Sequence, residues 1–244
     1  MQVNGTELHY AEFGSGIPLV FVHGSLGTVE DWRAQLDTFA HADDLAALLE
    51  RLGVERAHII GHSYGGYVAL AFALRYPDKV WDLVLVEPPI LPWLARTPEG
   101  DSLRRAFDAR TVGPARAAFA RGDSVEGLRR FIDGASGTPG QFDALPADRR
   151  AALLGLAFEL RLELSAPAAV HMPALECRDV AGIRSSVLLV TGQRSPRRFH
   201  VIEDELERCL RTQEVVTVPG ADHQVPSANP RYFNEAVLSF LARH

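Results

Sequence analysis

The 244 residues, 47% of them hydrophobic and 23% charged, are enough to bury a sizeable core and suit one large α/β domain rather than a disordered or fibrous chain. The 25 basic and 31 acidic residues give a formal net charge of −6, and the basic ones stand singly or in brief clusters, which argues against a nucleic-acid partner. No run reaches the ~18 apolar residues that a membrane helix needs, and the N-terminus has no basic segment leading into an apolar one, so a cytoplasmic protein, neither exported nor membrane-inserted, is expected. Cys177 and Cys209 are too few for a disulfide framework or a zinc site and read as simple thiols.

In chain order, "MQVN" and "ELHYAEF" form a hairpin about Asn4-Gly5, a dipeptide suited to a tight turn. "IPLVFVHG", residues 17–24, is an apolar run bounded by glycine, as in a strand buried on both faces. "TVEDWRAQLDTFA" has helical spacing through Trp32, Leu36 and Phe39, and "DDLAALLERLGV" is an amphipathic helix ending on Gly53. "RAHIIGHS" is a second buried strand, "GGYVALAFALRYP" a helix stopped by Pro77, and "WDLVLVEPP" a strand stopped by a proline pair. This alternation predicts a mostly parallel sheet with helices on both faces. Residues 90–182 change to helical segments separated by Gly and Pro, and read as a helical insertion between core segments 1–89 and 183–244. Strand, helix, strand and helix then follow in "SSVLLVTG", "FHVIEDELERCLR", "EVVTVPG" and "PRYFNEAVLSFLAR".

"GHSYGG", residues 61–66, spells G-x-S-x-G between a buried strand and a helix. That context predicts a sharp turn that projects the Ser63 hydroxyl at the carboxyl edge of the sheet, with both glycines keeping side chains out of the closing strand and helix. A serine hydroxyl needs a base. His223, in the loop between the last strand and the last helix, is the best placed of the nine histidines. "VHGS", residues 22–25, supplies a glycine turn whose Ser25 N–H, or alternatively that of Leu26, is expected to meet the Tyr64 N–H at a developing oxyanion.

"VHGSLG", "GHSYGG", "LVLVEPP" and "PGADH", in this order, resemble the α/β-hydrolase superfamily. The resemblance implies a Ser/acid/His triad in that chain order, an oxyanion site after the third strand and a helical lid after the sixth. In many members the acid follows the strand that is here "SVLLVTG", three residues after Gly192, where this chain has Ser195. Other members place it one strand earlier, and Glu87 ends that strand here. Glu87 is therefore the expected acid, against the rivals Asp222, which adjoins His223, and Asp82, at the other end of its strand. Arg194 to Arg198 is left as a basic turn and helix start.

The resemblance also implies a further core strand after Ala40, the family's fourth, for which "LDTFAHADDLAALL" has no room. Its loss would let the family's second and third strands pair directly. Within the lid, Trp93, Phe107, Phe131, Phe158 and Met172, together with Leu26, are expected to wall a mostly apolar pocket. A serine rather than a carboxylate at position 63 disfavours dehalogenase or epoxide hydrolase chemistry. The expected function is hydrolysis of a small ester or lactone through an acyl-enzyme, without metal, nucleotide or flavin. A binding protein lacking turnover, a perhydrolase and a C–C hydrolase are the alternatives.

Overall fold

The computed structural model describes residues 1–12, 16–27, 42–165 and 174–244. Strands β1 (Gln2–Val3) and β2 (Thr6–Glu7) pair antiparallel across Asn4 and Gly5, which both take positive φ, as the two central residues of a tight hairpin must. The main sheet has five parallel strands in sequence order: β3 (Leu19–Val22), β4 (Ala57–His62), β5 (Val80–Val86), β6 (Ser186–Gly192) and β7 (Gln213–Val218). Among the described residues the hairpin does not join this sheet, so the pairing of the second and third family strands that loss of the fourth would allow is not seen there, and no described strand lies beyond β3. The helix expected over 28–40 lies outside the described residues.

Both faces of the sheet are covered. Ile59, Leu83, Leu85, Val187 and Leu189 point to one side, packed with α1 (Ala42–Arg51), α2 (Tyr64–Arg75) and a helix after β6. Ile60, Val84, Val86, Leu188 and Val190 point to the other, against Phe233, Val237 and Phe240 of the C-terminal helix. This period of two explains why the central strands read as unbroken apolar runs in the sequence.

Between β5 and β6 the chain is helical, with α3 (Pro98–Phe107), α4 (Gly113–Ala120), α5 (Ser124–Ser136), α6 (Ala147–Gly155) and α7 (Ala157–Ser165). These helices bury Phe119, Leu128, Phe142, Leu153, Leu160 and Leu164 in a cluster of their own. After β6 come α8 (Arg197–Cys209) and, after β7, α9 (Pro230–Leu241). Among the described residues no helix is long and apolar enough to cross a membrane.

The register fixes where chemistry can gather. Val22 pairs with Gly61, His62 with Val86, Val86 with Val190, and Gly192 with Val218. The carboxyl ends of all five strands are therefore level, and the loops that leave them share one edge, the usual place for ligands in an open parallel sheet.

The cysteines depart from expectation. Cys177 and Cys209 form a disulfide across 32 residues, with Cα atoms 5.1 Å apart, because the end of α8 returns beside the turn that leads into β6. They are not simple thiols, and the compartment inferred from free thiols loses that support. Closing a loop of this length contributes about 3–4 kcal/mol in the chain-entropy model. Replacing both cysteines with alanine should lower the denaturant midpoint, and reductant should shift the parent protein to the same extent while leaving the variant unmoved.

Candidate active site

Ser63 follows β4 directly and takes φ 52° and ψ −124°, a left-handed backbone that is costly for a non-glycine residue. Neighbouring glycines make room for it. A Cβ on Gly61 would lie 2.2 Å from the Gly65 carbonyl oxygen, and one on Gly65 would lie 2.2 Å from that of Val22. The Ser63 N–H donates to the Val86 carbonyl at 2.8 Å, while the Ser63 carbonyl accepts from the N–H of Gly66. The turn is thus tied to β5 on one side and to the first turn of α2 on the other, and it aims Oγ over the sheet edge.

His223 lies in the loop after β7, only 4% exposed. Its Nε2 is 3.1 Å from Ser63 Oγ and its Nδ1 is 2.5 Å from Glu87 Oε2. Glu87, equally buried, also has positive φ at the end of β5, so a second strained residue turns its side chain toward the neighbouring strand. Its other oxygen accepts from Thr191 Oγ1 at 2.9 Å and from the Gly192 N–H at 2.8 Å. Burial pushes the Glu87 carboxyl up, but the hydrogen bond and charge of His223 and the Gly192 N–H outweigh it, and the group stays below its ordinary range. An ionised carboxylate, an imidazole and a hydroxyl are therefore linked in one line.

The rival acids are occupied elsewhere. Asp222 Oδ1 accepts from the Gln224 N–H at 2.9 Å, and Asp82 lies against His58, 2.8 Å away, at the opposite end of the sheet. Ser195 is buried and, by its hydrogen bond, helps hold the Glu87 carboxyl down.

Two rings brace the imidazole. Phe199, in the first turn of α8, stacks on His223 with centroids 4.2 Å apart and planes within 8°. His62 donates from Nε2 to the His223 carbonyl at 2.7 Å, its ring 5.0 Å from that of His223. Burial, with the nearby charge of His223 next, lowers the His62 pKa from 6.5 to about 4. Below pH ~6.5 the unfolded chain protonates this residue and the folded protein does not, so its contribution to stability is intact near neutrality and is lost as pH falls toward the folded pKa. The free energy of unfolding should drop between pH 7 and pH 4.5, and drop less steeply in His62→Gln, as read by urea titration at each pH.

Ser63 opens into a cavity of about 700 Å³ whose walls include Ser25, Leu26, Tyr64, Phe107 and Phe131. The remaining wall candidates stand elsewhere. Trp93 is 2% exposed in the core of the molecule, with Nε1 donating to the Leu175 carbonyl and Arg96 over its face. Phe158 is 59% exposed and packs on Arg161. Met172 lies outside the described residues. The wall is also more polar than expected, since Arg116, Arg149, Glu163 and Arg198 line it. Helical spacing identifies an apolar or charged stripe but not which of two neighbours it faces, so neither the buried Trp93 nor the inward Arg198 was visible in the pattern. Among the described residues no group of three or more His, Cys, Asp or Glu side chains could hold a metal ion.

Comparison with known proteins follows the same lines. Residues 33–133 match the family described as alpha/beta hydrolase fold. A 2-hydroxy-6-oxononadienedioate/2-hydroxy-6-oxononatrienedioate hydrolase of Paraburkholderia phymatum is 37% identical over 34% of this chain and 41% of its own length. A putative carbamate hydrolase of Caulobacter is 41% identical over 29% of this chain and 24% of its own. The chain thus spans less than half the length of these curated relatives. Among solved structures, Est816, described as an N-acyl homoserine lactone degrading enzyme, superposes with a TM-score of 0.74 over 98% of both chains at 20% identity. Naproxen esterase of Bacillus subtilis gives 0.64 over 95% of this chain and 86% of its own at 19% identity. With the parallel sheet, the strained serine turn and the matching architecture of these neighbours, the chain has the α/β-hydrolase fold.

Proposed function

We propose that this protein is a serine hydrolase that cleaves a small carboxylic ester or lactone through an acyl-enzyme on Ser63. The observation that carries the reading is the line of hydrogen bonds from Glu87 through His223 to Ser63, since a hydroxyl becomes a useful nucleophile only when a base is within reach and that base is held in the right tautomer. Ser63 Oγ attacks the substrate carbonyl as its proton passes to His223 Nε2, and Glu87 stabilises the imidazolium. The negative oxygen of the tetrahedral intermediate is taken up by backbone N–H groups, assigned to Ser25 and Tyr64, with Leu26 beside them. Its collapse breaks the bond to the leaving oxygen, which takes the proton from Nε2. Water, activated by the same nitrogen, then releases the acid and restores Ser63.

The relatives support the class of reaction: most of those compared are described as hydrolases, and two of the structural neighbours as a lactone degrading enzyme and an esterase. The test is labelling with a fluorophosphonate, which traps an activated serine. Wild type should label and Ser63→Ala should not. Folded wild type that remains unlabelled while a general esterase control reacts would exclude the mechanism.

A further inference from the structure

Of the charged residues that line the cavity, the carboxylates are committed to the protein itself, and among the arginines Arg198 alone buries a guanidinium nitrogen without a partner among the described residues. Arg116 donates from Nε to the Leu164 carbonyl. Glu163 accepts from Ser25 Oγ at 2.9 Å, Asp108 pairs with Arg104, and Asp222 caps the Gln224 N–H. Arg149 is also engaged. Arg198 differs. It is 8% exposed and has no carboxylate within ion-pair distance among the described residues. Only Nη2 donates, to the Gly134 and Ala135 carbonyls at the end of α5. Nε is buried with no partner, and Nη1 makes no hydrogen bond within the described protein.

An unpaired buried cation is expensive, and a guanidinium cannot escape by losing its proton. Burial lowers the Arg198 pKa only to about 10, so it is charged at neutral pH. Its surroundings fix its plane, because the guanidinium carbon lies 4.3 Å from the centre of the Phe107 ring and 4.6 Å from that of Phe199. Phe199 in turn stacks on His223, so the cation is held about one aromatic ring away from the imidazole that faces Ser63. A preset cation that makes no ion pair with a described carboxylate, Glu87 acting on it only through space while held by His223, Thr191 and Gly192, is arranged for an anionic group that arrives with the substrate.

We propose that Arg198 is the anion-recognition residue of this cavity and that the substrate carries a carboxylate in addition to the carbonyl attacked by Ser63. This rests on the hydrolase reading for its second part only, since a binding protein with the same cavity would select the same ligands. It revises the apolar substrate suggested by the sequence to one with an apolar body and an acidic end: Leu26, Phe107 and Phe131 take the former and Arg198 takes the latter.

The test compares monoethyl esters of the linear dicarboxylic acids from succinate to suberate with ethyl esters of the monocarboxylic acids of matched length. At the chain length that spans from Ser63 to Arg198, wild type should prefer the acidic ester by kcat/KM, and Arg198→Gln should lower the ratio of acidic to neutral ester by about 30- to 100-fold, the worth of a hydrogen-bonded charge. An equal loss on both esters would overturn the proposal and leave Arg198 as a tie for the end of α5. Calorimetric titration of Ser63→Ala with the same two series supplies an arm that needs no turnover. Tighter binding of the acidic series, lost in Ser63→Ala/Arg198→Gln, upholds the anion site even if wild type hydrolyses nothing, which would sink the hydrolase reading alone. Equal binding of the two series overturns the anion site whatever the activity.

Discussion

Replacing Ser63 or His223 with alanine should lower kcat by about 10⁶-fold on any ester the protein turns over, and the double variant should be no slower than either single one. The two groups act in a single event: the 3.1 Å contact between His223 Nε2 and Ser63 Oγ is useful only when both ends are present, so the second deletion has nothing left to remove. KM should change little, because neither group is needed to hold the ground state. A residual rate of about 10³-fold over water is expected from the backbone donors and the cavity alone. In wild type, a chromogenic ester with a good leaving group should give a burst of one alcohol per protein before the steady state, and the burst should vanish in Ser63→Ala. A His223→Ala variant that stays within a hundredfold of wild type would mean that another group takes the proton. His62 is the nearest ring to consider, but its Nε2 is spent on the His223 carbonyl.

Why these residues could be named from sequence, and others not, follows from how each is positioned. Ser63, Glu87 and His223 all stand within a few residues of the carboxyl end of a strand, and in a parallel sheet those ends share one edge whatever the side-chain details. Strand composition alone sufficed for the central strands, whose apolar runs match β4, β5 and β6. Choosing Glu87 needed more, since nothing in "VEPP" marks an acid as functional; it came from the absence of one at Ser195 in a chain that otherwise resembles the family. The helical insertion resisted the same reasoning. Trp93 and Phe107 have similar helical surroundings in the sequence, yet one is core and one is cavity wall, a distinction set by how the insertion folds over the edge. The disulfide was hidden for a related reason, because the proximity of Cys177 and Cys209 depends on the length and direction of α8 and not on their spacing. In the sequence Arg198 stands in a basic helix start. Burial under Phe107, a residue 91 positions earlier in the chain, is what turns it from a solvated charge into an unpaired one.

Glu87→Gln should lower kcat by about 10⁴-fold, by analogy with loss of a triad acid, whereas Asp222→Asn should leave it within a few fold. Glutamine nearly preserves the shape of the side chain and can still accept from Thr191 Oγ1 and the Gly192 N–H, so the loss reports the charge that orients and stabilises His223, not a collapse of the site. A circular dichroism melt close to that of wild type would verify this. The same pocket then offers a stricter test. Ser195 is buried and helps hold the Glu87 carboxyl down, and its Oγ lies only 2.6 Å from where a Cβ on Gly192 would stand, beside the backbone N–H that serves Glu87. Ser195→Asp alone would crowd two carboxylates into one buried space, forcing one to bind a proton, and should slow the enzyme. In Glu87→Gln the space holds a neutral amide, and the added aspartate becomes the carboxylate placed to face Nδ1 of His223, since Asp222 is held by the Gln224 N–H. The double variant should therefore recover activity over Glu87→Gln by about tenfold or more, a coupling of opposite sign to the effect of Ser195→Asp in wild type. Recovery would mean that the carboxylate can reach the imidazole from either strand. No recovery in a folded double variant would mean that the turn after β6, shaped here around a serine, no longer lets an acid meet Nδ1, and that Glu87 is the position the rest of the site has been built to require.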